Sequence, residues 1–196
     1  MVRASSAKLS LWILLALPAA VILLQLLAGK SSADQLTPTG EWSARLIIVA
    51  MMMTPLVQVF PGNKTLRQLI RHRRAFGVAG FAYALLHLIF YVIDMEAVAN
   101  MISELSAPAI WTAWLAFFCL LPPAVASSDA AMRWLGRRWK MIQRLVYPAA
   151  VFTLVHWVLV HDRLAQALLH FAPLVVLQLM RISRLLPPKA LERKII

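Results

Sequence analysis

The chain has 196 residues, of which 61% are apolar and 14% charged, a balance that excludes an ordinary soluble domain and indicates an integral membrane protein. Its formal net charge of +12 is not a nucleic-acid signature, because the basic residues sit in short tracts beside apolar runs and not in a soluble patch with interleaved aromatics. One cysteine, Cys119, excludes an internal disulfide, a thiolate iron–sulfur site and the CxxCH of covalent heme attachment.

Six apolar stretches reach or approach the roughly 20 residues that a spanning helix needs. They run Leu9 to Ala28, Trp42 to Phe60, Ala75 to Ile93, Pro108 to Ala126, Leu145 to Val160 and Leu164 to Met180. The last two are short, so they either extend into their flanks or end where neighbouring protein covers them. Arg3 and Lys8 ahead of the first stretch, with Ser31, Ser32 and Ala33 after it, resemble a secretory signal. The apolar run is longer than the usual 7–15 residues of such signals, which favours a retained helix. No internal repeat interrupts the pattern, and the expected architecture is an all-α integral membrane protein, a six-helix transmembrane bundle forming one domain over 1–196.

Charge orients this bundle. The loops expected on one side, with both tails, carry Arg3, Lys8, Lys64, Arg67, Arg71, Arg73, Arg74, Arg133, Arg137, Arg138, Lys140, Arg144, Arg181, Arg184, Lys189, Arg193 and Lys194. Lys30, Arg45 and Arg163 fall at the alternate loops, where Asp34, Glu41, Asp94, Glu96, Glu104 and Asp162 also lie. The positive-inside rule therefore places both termini in the cytoplasm. The basic clusters RQLIRHRR and RWLGRRWK also suit anionic headgroups, a flavin phosphate or an acidic cytoplasmic reductase.

Two histidines stand inside apolar helical runs, His87 in AFGVAGFAYALLHLIFYVI and His156 in LVYPAAVFTLVHWVLV. Both segments run outward, with His87 six residues before Ile93 and His156 four before Val160, so the imidazoles lie about 9 Å and about 6 Å inside the outer helix ends. Two imidazoles at one depth on facing helices are what holds a heme iron from both sides. Gly77, Gly80 and Ala84 lead to His87, and Ala149 and Thr153 to His156, at helical spacings. These small residues admit a porphyrin edge; they equally allow close helix packing. His170, six residues inside the sixth segment, is the alternative ligand. His161 reads as an interfacial residue and His72 as a solvated loop residue.

The passages TGEWSARLIIVAMMMTPL, RHRRAFGVAGFAYALLHLIFYVID and ASSDAAMRWLGRRWKMIQRLVYPAAVFTLVHW, spanning about Thr39 to Trp157, resemble the MsrQ (YedZ) family. These are heme-binding membrane subunits of periplasmic methionine-sulfoxide reductase systems, within the ferric-reductase-like transmembrane superfamily. The resemblance implies a ferric-reductase-like heme domain with its core at 39–182 and a basic cytoplasmic tail at 183–196, in a bacterial inner membrane. It implies a b-type heme, with the family's axial histidines falling on His87 and His156. Electrons would pass from a cytoplasmic flavin reductase or a quinol to a periplasmic molybdopterin-containing subunit that repairs oxidised envelope proteins, so substrate reduction is expected in that partner. Some members are described as binding FMN, for which Arg73 and Arg74 are the candidate anionic-group ligands. One departure is Gln143, in IQRLVY, where the family usually has a histidine; a second heme held from that position is not expected from an amide.

Other readings predict other features. A transporter or proton channel calls for acidic partners or broken helices at mid-depth, whereas every Asp and Glu here maps to a loop or helix edge. A ferric or quinone-linked reductase of the same fold would need its NAD(P)H-derived electrons from another protein, since no nucleotide-binding domain follows the sixth segment in these residues.

Overall fold

The computed structural model describes residues 2–161 and 164–185. Asp162, Arg163 and the tail from 186 onward lie outside the described residues, as does the side chain of His161. Among the described residues ten α-helices follow one another: α1 (Val2–Leu27), α2 (Ser32–Val59), α3 (Lys64–Leu69), α4 (Arg73–Asp94), α5 (Val98–Glu104), α6 (Pro108–Val125), α7 (Asp129–Leu135), α8 (Arg138–Gln143), α9 (Val146–His161) and α10 (Leu164–Leu185), with a 3-10 turn at Ile70–His72. There is no strand among the described residues. Among the described residues six segments are long and apolar enough to cross a membrane: Lys8–Leu27, Ser32–Val59, Lys64–Asp94, Pro108–Val125, Arg138–Val160 and Leu164–Ser183. The protein is a multi-pass helical membrane protein. The fifth and sixth spans do extend into their flanks, back through α8 to Arg138 and on to Ser183.

The second span departs from the sequence reading. It begins ten residues before Trp42, because Ser31 and Asp34 form a reciprocal capping box that satisfies the first orphan N–H groups of α2. At 28 residues it is about 42 Å long, more than the ~30 Å of hydrocarbon. Glu41 and Arg45, expected at a loop or helix edge, therefore lie well inside a helix.

Two helix pairs build the bundle, α2 on α4 and α6 on α9, with α10 closing against α2. The first pair comes unusually close at Gly80. A Cβ there would stand 2.8 Å from Ile47 Cγ1 and 3.3 Å from the Ser43 carbonyl, and Ser43 Oγ donates to the Gly80 carbonyl at 2.9 Å. Small residues that let backbones touch are how helices associate in lipid, where burial of apolar surface supplies no drive. One buried core joins Ile47, Ile48, Met51, Leu120, Ala149 and Phe171. A second joins Leu15, Ile22, Leu46, Tyr83 and Phe90.

Helix α1 is mostly lipid-facing, with Leu14, Leu17 and Leu24 exposed. Tyr83 fixes it: the hydroxyl donates to the Leu15 carbonyl at 2.9 Å and accepts from the Ala19 N–H at 2.8 Å. These two groups are four apart, so the phenol sits in α1's own ladder next to Pro18.

Candidate heme site

Each helix pair presents one imidazole and one seat for it. On the α2/α4 side, His87 Nδ1 bonds the Leu36 carbonyl at 2.9 Å. On the α6/α9 side, His156 Nδ1 bonds the Ala109 carbonyl at 2.8 Å. A carbonyl accepts only, so both rings carry their proton on Nδ1 and the lone pair on Nε2, the tautomer that a metal-ligating histidine takes. The seats match further. Thr39 Oγ1 donates to the same Leu36 carbonyl at 2.9 Å and to that of Gln35 at 2.6 Å. Thr112 Oγ1 likewise donates to the Ala109 carbonyl at 2.9 Å and to that of Pro108 at 2.7 Å. Both threonines are buried. Gly40 gives His87 its room, since a Cβ at that position would lie 3.3 Å from ring atoms Cε1 and Nδ1.

The two rings face each other with centroids 6.3 Å apart and planes at 74°. A metal bonded to one nitrogen of each ring at about 2 Å, with each ring centre roughly 1.1 Å beyond its nitrogen, spans about the same distance. Among the described residues no group of three or more His, Cys, Asp or Glu is placed to hold a metal ion. Two axial nitrogens alone suit an iron whose remaining ligands come from a macrocycle. Around them is a cavity of about 330 Å³ lined mainly by apolar and aromatic side chains, including Ala84, Leu88, Ile110, Trp114, Phe117 and Trp157. The donor set, the spacing and the lining fit a heme.

Of the small residues singled out in the sequence, Ala84 and Thr153 line this cavity. Gly80 is turned to α2, and Ala149, fully buried, belongs to the core. Gly77 lines a second cavity. His170 is not brought to the pair. Its Nδ1 donates to the Gln166 carbonyl at 2.8 Å, its Nε2 accepts from Arg45 Nε at 3.4 Å, and its ring packs on Trp157 with centroids 5.0 Å apart. The seats at Leu36 and Ala109 were missed in the sequence, since a backbone carbonyl has no letter of its own; a threonine three residues beyond each was the only signal.

The second cavity, about 580 Å³, opens toward the basic end and is lined by Arg71, Arg73, Arg74, Lys140, Arg144 and Arg181 with Phe81, Trp139 and Tyr147. Arg73 Nη1 donates to Thr54 Oγ1 at 3.0 Å, and Arg74 is paired with Asp129. That hydrogen bond, aided by Coulomb attraction, holds the Asp129 carboxyl below the usual carboxylate range. Gln143 also lines this cavity, but its Nε2 donates to the Pro123 carbonyl at 3.0 Å.

Fold and site together define a helical membrane protein with a bis-imidazole cavity inside the bundle. The chain belongs to the ferric reductase like transmembrane component family, whose model matches residues 39–155; His87 lies within that match and His156 one residue past it. It is similar to proteins described as protein-methionine-sulfoxide reductase heme-binding subunit MsrQ. The one from Xanthomonas oryzae pv. oryzae is 34% identical over 143 residues, 71% of this chain and 64% of the relative. That from Xanthomonas campestris pv. campestris is 33% identical over the same shares, and that from Brucella ovis 30% over 149 residues, 74% of this chain and 66% of the relative. The chain thus spans slightly under two thirds of these relatives' length. No solved structure matches.

Proposed function

We propose that this chain is a transmembrane electron carrier of MsrQ type, in which His87 and His156 hold a b-type heme from opposite sides. The observation that supports it most is the 6.3 Å separation of two rings whose Nδ1 atoms are each committed to a backbone carbonyl. The bound group supplies one-electron redox chemistry. The protein's part is to fix both rings through Leu36 and Ala109, to keep the surround apolar, and to fill both axial positions so that the iron is not an oxygen-binding site.

The relatives' name and the basic loops at one end support a bacterial inner membrane as the location of this role, with both termini in the cytoplasm. The whole chain then acts as one ferric-reductase-like domain with its core at 39–182 and a basic tail at 183–196. The electron acceptor is a periplasmic molybdopterin-containing methionine-sulfoxide reductase subunit, where oxidised envelope proteins are repaired, and the donor is a quinol or a cytoplasmic flavin reductase. The basic cavity, with Arg73 and Arg74 on its wall, suits the phosphate of a flavin such as FMN at the donor end.

Absorption spectra of the purified protein, oxidised and dithionite-reduced, test the ligand pair. The wild type shows reduced b-type bands, His87→Ala and His156→Ala lose them, and His170→Ala keeps them. Bands that survive both first variants, or vanish only with His170→Ala, refute the assignment.

A further inference from the structure

Two carboxylates belong to the wall around the imidazoles: Glu104, which accepts from the Tyr91 hydroxyl at 3.0 Å, and Glu41. Glu41 lines the same cavity as His87 and His156, one residue after the glycine that makes room for the His87 ring. Its Oε2 accepts from Arg45 Nη2, one turn further along α2, at 2.5 Å, and its Oε1 from Gln166 Nε2 of α10 at 3.5 Å. Arg45 reaches α10 as well, through His170, whose ring lies on Trp157, the residue after His156. The side chains are 19% exposed for Glu41 and 35% for Arg45. An ion pair at this place is not explained by helix association. Desolvating two charges costs more than apolar packing of the same volume, and ionisable groups inside a span are rare without a task.

We infer that Glu41 is a fixed counter-charge for the redox centre between His87 and His156, and that Arg45, held by His170, attenuates it. This rests on the heme reading above. The oxidised centre would carry one more positive charge than the reduced one, the two differing by one electron. A carboxylate on the cavity wall therefore favours the oxidised form and lowers the midpoint potential. The guanidinium acts the opposite way from further off, since Glu41 lines the cavity and Arg45 does not. Low-dielectric walls keep both fields strong. The same polar link ties α10 to the heme's surroundings, so the sixth span sets the potential without supplying a ligand.

The test is potentiometric titration of the heme-loaded full chain at one pH. Glu41→Gln shifts the midpoint upward, Arg45→Gln shifts it downward by less, the double variant returns toward wild type, and Glu41→Asp stays near it. A mere helix clasp moves both single variants the same way or not at all, and either result, with the wild-type spectrum intact, overturns this inference alone. If Glu41→Gln purifies without heme, Arg45→Gln decides by its sign; loss of heme from both overturns the inference, because a guanidinium that opposes the oxidised centre is not needed to retain it. A wild type that binds no heme overturns the heme reading, and this inference with it.

Discussion

The histidine cavity and the basic cavity are both lined by α2, α4, α6 and α9. Leu120 belongs to both walls, and Phe81 of the basic cavity stacks on Phe117 of the histidine cavity with centroids 5.5 Å apart. Yet their chemistry diverges. In the histidine cavity each polar side chain that matters is pinned by a second helix: His87 by α2, His156 by α6, Glu41 by α10. In the basic cavity the cations crowd, Arg74 paired with Asp129 at its edge, and the one amide at the expected ligand position, Gln143, turns to a carbonyl of α6. The same scaffold makes a pair of imidazoles held by backbone carbonyls, the arrangement proposed to seat the heme, and a vestibule where guanidinium groups converge.

Glycine replacement breaks this contrast most sharply. Gly40→Val drives a side chain into the His87 ring, an overpacking of about 3 kcal/mol, and the purified protein loses most of its heme. Gly77→Val, at a position where an added Cβ meets nothing within 4 Å, keeps the heme content of wild type. Equal heme content in the two variants would show that the two ends do not differ as described.

Removing the threonine hydroxyls sharpens the account of the seats. Thr39→Val and Thr112→Val each weaken heme retention about tenfold, the lower end of what outer-shell partners contribute to metal affinity. Thr39→Ser and Thr112→Ser behave as wild type. Heme transfer to a scavenging globin reads this out, and unchanged transfer rates for the valine variants would remove the threonines from the site.

The smallest effect belongs to the basic end. Asp129 is fully solvent-exposed and its carboxyl is held below its usual range by Arg74, so its contribution to stability is present above the unfolded-state value and lost as pH falls through the folded-state one. Asp129→Asn should therefore melt slightly below wild type at neutral pH, and the gap should close in acid. A gap that widens in acid would contradict the pairing.

Much of this molecule was legible in its sequence. Six spans, the basic side and the pair His87 and His156 all follow from sums over neighbouring letters: apolar length against bilayer thickness, charge counted between runs, and helical rise counted from a span's end. The tertiary structure decided what those sums leave open. It carried α2 back to Ser32 and drew Glu41 and Arg45 into the bundle. It turned Gly80 toward α2 and not toward the cavity, and it set His170 against Arg45 instead of against the imidazole pair. It also chose the Leu36 and Ala109 carbonyls as partners for rings about fifty residues away in each case. The reason is physical: hydropathy and spacing are properties of one helix taken alone, whereas the face a side chain uses and the partner it finds depend on which other helix lies beside it, and in lipid that choice is made by close backbone contact and internal hydrogen bonding.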